Sequence, residues 1–147
     1  MQFPPHLKLH KQRFIVLFVL ALIGFSDSTY LTAEHIRGTI PPCSIVSGCE
    51  TVLSSSYASL GSVPVATLGM LFYGTILVLL IGYFDSRSPL FSGAVAIFSI
   101  AGALATLVFI YIQVAVIGAL CLYCMISAGT SLGIFGASLP LLRSMRS

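Results

Sequence analysis

Four long apolar runs alternate along the chain with one long polar segment and two short breaks. The first run follows a basic stretch containing Lys8, Lys11 and Arg13. It opens FIVLFVLALIGF at Phe14 and turns small and polar at Ser26-Asp27-Ser28-Thr29. A bilayer core about 30 Å thick needs roughly 20 helical residues. This run reaches that length only with Ser26 to Leu31 included, which predicts a span over about residues 14–32. The later runs predict spans over about residues 64–84, 90–112 and 120–142. Asp85-Ser86-Arg87-Ser88-Pro89 makes the turn between the second and third spans, and a brief turn over residues 113–119 with Gly118 separates the third from the fourth. Residues 33–63 are one long loop. In it, Pro41-Pro42 blocks helix and extends the chain ahead of Cys43. ETVLSSSY, from Glu50 to Tyr57, predicts a short helix lying on the membrane with Val52 and Leu53 facing inward. Gly61-Ser62 breaks that helix, and Ser62 and Pro64 read as the N-cap and an early position of the second span. Ser99 to Ala105 in the third span, and Gly129, Gly133 and Ala137 in the fourth, are small residues suited to close helix packing. The fold class that follows is an all-α membrane protein. It is a four-transmembrane-helix bundle in one domain over residues 1–147, with one long outer loop carrying a short interfacial helix.

Composition supports the membrane reading. The 147 residues are 57% hydrophobic and 7% charged, whereas a soluble domain carries about 25% charged residues. So few charges cannot cover a water-facing surface. The net charge of +3 does not point to nucleic acid, because the basic residues stand beside the apolar runs. An N-terminal basic segment before an apolar run also fits a signal peptide, but no A-x-A-like cleavage site follows it. Four spans put both termini on one side, together with Lys8, Lys11, Arg13, Arg87, Arg143 and Arg146, six of the seven Lys and Arg residues. The positive-inside rule makes that side cytoplasmic. The expected location is the inner (plasma) membrane, multi-pass, with the long loop and the start of span four on the periplasmic or extracellular face. Asp27, inside span one, is costly at that depth and either faces a wet interior or reaches the interface.

All four cysteines then fall on one face: Cys43 and Cys49 in the loop, Cys121 and Cys124 where span four begins. An oxidising compartment is where thiols pair, so two structural staples are one reading. A Cys-x-x-Cys bridge, however, closes a loop too small to stabilise much through chain entropy. At i and i+3 on a helix the two sulfurs share a face, and a helix N-terminus favours thiolate. Those are the requirements of a redox pair. A tetrahedral zinc site is a third reading, but Cys43-x5-Cys49 is looser than the usual knuckle spacing. For a relay, Cys43 and Cys49 are placed to meet a soluble dithiol, and Cys121 and Cys124 to meet a lipid-soluble oxidant by thiol–disulfide exchange. A quinone is a two-electron carrier dissolved in the bilayer. Its carbonyls need donors in an apolar pocket, and Ser54, Ser55, Ser56 and Tyr57 are the candidates.

These residues carry a resemblance. SDSTYLTAEHI at the end of span one, the pair Cys43 and Cys49, CETVLSSSYASLGSVPVATLGMLFY and CLYC at the start of span four together resemble the vitamin K epoxide reductase family, in particular its bacterial stand-alone members. The resemblance covers nearly the whole chain. It implies a four-helix bundle with a quinone pocket at the outer face. It also implies that Cys124 reacts with quinone, that Cys121 is its partner and exchanges with Cys49, and that Cys43 exchanges with the outside partner. Ser55 would bond a quinone carbonyl. The implied partner is a thioredoxin-like disulfide oxidase; because the chain ends just after span four, it is expected to be a separate protein. Serines stand where vertebrate relatives carry an Asn, which favours ubiquinone or menaquinone, with a vitamin K-type naphthoquinone also open. In the other four-helix quinone-linked oxidases, the disulfide bond protein B family, the order of the two cysteine pairs is reversed. The reading from a different class is a non-catalytic four-span subunit with a disulfide-stapled loop.

Overall fold

The computed structural model describes residues 5–43, 45 and 47–146. The side chains of Lys8 and Arg146, counted in the charge asymmetry above, lie outside those described. Among the described residues, four helices are long and apolar enough to cross a membrane: α1 (Pro5–Arg37), α3 (Val65–Ser86), α4 (Pro89–Tyr111) and α5 (Leu122–Arg146). A short helix, α2 (Cys49–Leu53), and a two-stranded hairpin of β1 (Ser59–Leu60) and β2 (Val63–Pro64) lie between α1 and α3. The chain is a multi-pass membrane protein. Its surface fits lipid as the solvent, since Leu71, Val78, Ile97 and Leu104 are exposed while Ser28, Ser99, Thr130, Ser131 and Ser138 are buried.

The helices form a ring in which α1 packs against α3 and α5, and α4 packs against α3 and α5. One core, away from the loop, holds Leu17, Ala21, Tyr73, Ile76, Leu80, Val95 and Ile134. Small residues set the helix spacing. A Cβ on Gly24 of α1 would overlap the ring of Tyr73, and one on Gly102 of α4 would overlap the ring of Phe72. Ser99 of α4 meets Ser138 of α5 at 2.6 Å, a buried hydroxyl pair of the kind that joins helices inside a bilayer.

Several elements differ from the sequence expectation, each for a local reason. The first helix does not stop at residue 32 but continues to Arg37, where Gly38 (φ +71°) takes the left-handed conformation. Gly38 N–H donates to His35 O at 3.1 Å and Thr39 N–H to Glu34 O at 3.0 Å, the two bonds of a Schellman stop. The loop is therefore shorter than residues 33–63. The short helix covers Cys49–Leu53 rather than residues 50–57; Ser56–Ala58 is a single 3-10 turn, and a hairpin turning at Gly61 (φ +65°) follows. Ser62 lies exposed in that hairpin turn and does not cap α3; Pro64, in extended conformation, holds the N-cap position. Ser88 does cap α4, accepting from Leu90 N–H at 3.4 Å, with Pro89 in the first turn. Beyond α4, the expected brief turn is a π-helix over Ile112–Ile117 stopped by Gly118 (φ +70°). The stripe on α5 is only partly an interface. Gly133 meets Leu20, but no atom lies within 4 Å of a Cβ built on Gly129, because the buried face runs instead through Ser131, Ile134 and Ser138.

Replacing Gly24 with Val should force Tyr73 from its notch. Overpacking of this kind costs about 1–3 kcal/mol, and it is expected as a lowered unfolding midpoint in detergent, read by circular dichroism.

Candidate functional site

The second cluster sits at the loop end of the bundle and contains all four cysteines. Cys49, Val52 and Cys121 are its buried centre; Cys43, Leu53, Tyr123 and Cys124 pack around them. Cys43 and Cys49 form a disulfide with their Cα atoms 6.0 Å apart, whereas Cys121 and Cys124 are free thiols. Residues 72 positions apart in the chain, Cys49 and Cys121, are thus neighbours.

Three local features produce this meeting. The first is Gly48. A Cβ there would run into the Leu120 carbonyl oxygen, so only the bare backbone lets the loop come down on the start of α5. The second is Gln113. It is buried in the π-helix, and its Oε1 accepts the Cys121 N–H at 3.1 Å while its backbone O accepts the Ala119 N–H, also at 3.1 Å. The extra residue of a π-turn re-aims a side chain, and here it lets one amide hold the backbone of Cys121. The third is Tyr123, between the two cysteines, whose hydroxyl donates to Pro42 O at 3.3 Å and whose ring lies 5.7 Å from that of Tyr30. Together these tie the loop, α1 and α5 around the thiols. Sequence reasoning missed all three. A lone Gln in an apolar stretch and a glycine directly before a cysteine were the available signals.

The Cys121 thiol is held down to about 7. The largest cause is a hydrogen bond from the Cys124 thiol; burial opposes it, and the backbone N–H groups of Cys124 and Tyr123 at the start of α5 add to the lowering. An N-terminal helix position next to a donor is where a thiolate is favoured.

Beneath the cysteines lies a cavity of about 810 Å³ between α1, α3, α4 and α5. Its walls are mostly apolar, with Phe72, Phe98 and Phe109, and Cys124 opens onto it. Of the four residues proposed as carbonyl donors, Ser55 and Tyr57 line this cavity, and Ser54 and Ser56 do not. Ser54 is exposed and donates to Glu50 O at 2.6 Å; Ser55 donates to Val52 O at 2.7 Å. Ser131, which sequence reasoning did not select, lines the cavity with a buried hydroxyl that has no partner. At the cavity floor the Tyr73 hydroxyl bonds Ser127 O at 2.6 Å and Thr130 Oγ1 at 2.8 Å. Asp27 belongs to the interior rather than the interface, since its Oδ2 is buried without a hydrogen-bond partner.

Comparison with known proteins agrees with this architecture. A model described as the vitamin K epoxide reductase family matches residues 15–139. The thiol-disulfide oxidoreductase LTO1 of Arabidopsis thaliana is 34% identical over 117 residues, which cover 74% of this chain and 31% of LTO1. The chain therefore spans about a third of the length of that curated relative.

Two outcomes follow from the site geometry. With Cys43 and Cys124 both replaced by Ala, Cys49 and Cys121 should cross-link readily under mild oxidation. Adding Gly48→Val should slow that cross-link about 10²-fold, the loss a displacement of order 1 Å brings, as read on a thiol-trapping gel. The ultraviolet absorbance of the Cys121 thiolate should rise half-maximally near pH 7. It should move up toward the ~8.5 of a free thiol in Cys124→Ala, because the donor that stabilises the anion is gone.

Proposed function

The chain belongs to the vitamin K epoxide reductase family, and from that premise we propose that it is a membrane thiol–disulfide oxidoreductase that passes electrons to a quinone. The observation that carries the reading is that four cysteines meet in one cluster while one of them, Cys124, opens onto a large apolar cavity. Cys43 is half-buried and Cys49 is buried, so a dithiol of a thioredoxin-like partner meets Cys43 first. Attack there breaks the Cys43–Cys49 bond and frees Cys49, and the partner's second thiol completes its own disulfide. The Cys49 thiolate then attacks Cys121 in a Cys121–Cys124 disulfide and releases Cys124 toward the cavity. Cys43 resolves the Cys49–Cys121 bond and restores its own. The result is a loop disulfide with two free thiols at α5, which is the arrangement of the chain here.

The cavity suits a quinone. Its volume lies within the roughly 300–1,000 Å³ of ligand sites, and apolar walls with few polar groups are their usual lining. When bound, a quinone supplies a two-electron, two-proton acceptor. Ser131 and Tyr57 have hydroxyls free to meet its carbonyls, whereas Ser55 must first release Val52 O. Ubiquinone, menaquinone and a vitamin K-type naphthoquinone share this chemistry. The orientation we propose places the termini in the cytoplasm and the cysteines on the periplasmic or extracellular face of the plasma membrane, supported by the six basic residues on the terminal side. The net outcome is disulfide formation in the partner's substrates.

Purified protein with a reduced thioredoxin-like partner should reduce a soluble quinone, followed by its ultraviolet absorbance. Cys124→Ala is expected to abolish the reaction. Cys43→Ala should block the protein partner while a small dithiol still supports turnover. Full turnover by Cys124→Ala would sink the reading. In cells depleted of quinone, Cys121 and Cys124 should accumulate as free thiols, whereas a purely structural staple would stay oxidised.

A further inference from the structure

Among the described residues, two buried side-chain polar atoms have no hydrogen-bond partner, Asp27 Oδ2 and Ser131 Oγ. Buried polar groups are nearly always paired, and a carboxyl at bilayer depth is costly and marks ion or proton pathways. Ser131 is accounted for by the cavity it lines. Asp27 is not, and nothing in the relay described above uses it.

Its surroundings are specific. Gly24, one turn before Asp27 on α1, receives the ring of Tyr73 from α3. The Tyr73 hydroxyl reaches across the ring of helices to Ser127 and Thr130 of α5. Ser127 lies one turn beyond Cys124 and shares the cavity wall with it. The Asp27 carboxylate is close enough to act electrostatically on the Tyr73 hydroxyl and on both thiols, Cys121 and Cys124. These are the titratable groups facing it from α3 and α5, the two helices packed against α1. Along α1 itself, Glu34 lies about two turns nearer the loop. The Tyr73 hydroxyl therefore stands between the turn of α1 that carries Asp27 and the Ser127 and Thr130 hydroxyls of α5, while Asp27 itself is not part of the cavity wall.

We propose that Asp27 is the proton-transfer residue of this site, taking the proton that Cys124 gives up on oxidation and returning it to the product. This rests on the quinone reading above. Forming the Cys121–Cys124 bond breaks two S–H bonds and releases two electrons and two protons, the number a quinone takes up on becoming a quinol. The Cys124 proton reaches the Asp27 carboxylate by way of the Ser127 and Tyr73 hydroxyls, which bond each other at 3.2 Å, as the S–S bond forms, and the electron pair leaves to the acceptor. The proton held on Asp27 then passes to a product oxygen by way of the Tyr73 hydroxyl, and the proton released by Cys121 balances the second one that the product takes up. Asp27 ends as it began. It acts through Tyr73 and Cys124, and no contact with the acceptor is required of it.

The test compares Asp27→Asn, which keeps the shape, with Asp27→Glu, which keeps the carboxyl. Oxidation of the Cys121–Cys124 pair by a soluble quinone, followed by thiol trapping across pH, should slow about 10²-fold in Asp27→Asn, the contribution of a positioned proton acceptor. Its pH dependence should flatten, and Asp27→Glu should recover most of the rate. In quinone-free protein, the Cys121 thiolate absorbance should appear at lower pH in Asp27→Asn, because a neighbouring negative charge is gone. Wild-type rate and pH profile in Asp27→Asn overturn the proposal. If that variant fails to fold, infrared difference spectra of the wild type decide: a carboxyl band that changes between thiol and disulfide states supports the proposal, and an unchanged band overturns it. An inactive Cys124→Ala beside a fully active Asp27→Asn refutes Asp27 alone, whereas an active Cys124→Ala refutes the quinone reading beneath it.

Discussion

The arrangement depends on the approach of the Gly48 backbone to the Leu120 carbonyl. The loop cysteines and the α5 cysteines belong to distant segments, and neither pair has a use without the other in a relay. A side chain of any size at residue 48 would hold the loop away from α5. Everything else at the loop end serves the same closeness. The Schellman stop at Gly38 turns the chain off α1, the Tyr123 hydroxyl grips Pro42 O, and Gln113 fixes the Cys121 amide. The interactions are individually modest, each hydrogen bond contributing about 0.5–1.5 kcal/mol net. Their joint effect is to turn a meeting between remote thiols into a local one.

The bundle below has a different task, which is to hold polar groups where lipid surrounds the protein. Its exterior is Leu, Ile and Val, and its interior carries hydroxyls from Ser28, Thr106, Thr130, Ser131 and Ser138. Thr130 and Ser138 are bonded within a turn and across to a neighbour, as Ser99 is. The exceptions cluster at the cavity and beside Tyr73. A bundle that pairs its hydroxyls elsewhere but leaves a serine and an aspartate open beside a free thiol concentrates its unpaired polarity at one place.

The fold was legible because a membrane protein writes its architecture in long apolar runs. Three of the four spans begin within about two residues of their expected starts, and the four cysteines could be assigned to one end from chain topology alone. What was not legible depended on three-dimensional neighbours. The run at Ala33 to Arg37 looked like loop because Glu34, His35 and Arg37 are polar, yet helix continues until a left-handed glycine stops it. The serines after Cys49 looked like ligand donors by composition, but two of them spend their hydroxyls on the carbonyls of their own helix. Ser131 carries no such signal, since within a small-residue stretch it reads as packing. Asp27 was the reverse case, a residue whose type alone marked it and whose surroundings supplied the reason.

The Cys-x-x-Cys pair stands at the boundary between these two regions. Cys121 precedes α5, with its amide tied to Gln113 and its thiol acidified first by the Cys124 thiol and then by the N–H groups of the helix start, beside the loop disulfide. Cys124, one turn inside, faces the cavity. A spacing of three residues on a helix is short enough for the sulfurs to bond and long enough to put them in different surroundings. In the relay proposed above, exchange with Cys49 needs close contact and a stabilised thiolate, both found in the buried centre of the cysteine cluster, whereas delivery to a bilayer-soluble acceptor needs the apolar cavity. One helical turn separates the two conditions, and the chain places one sulfur in each.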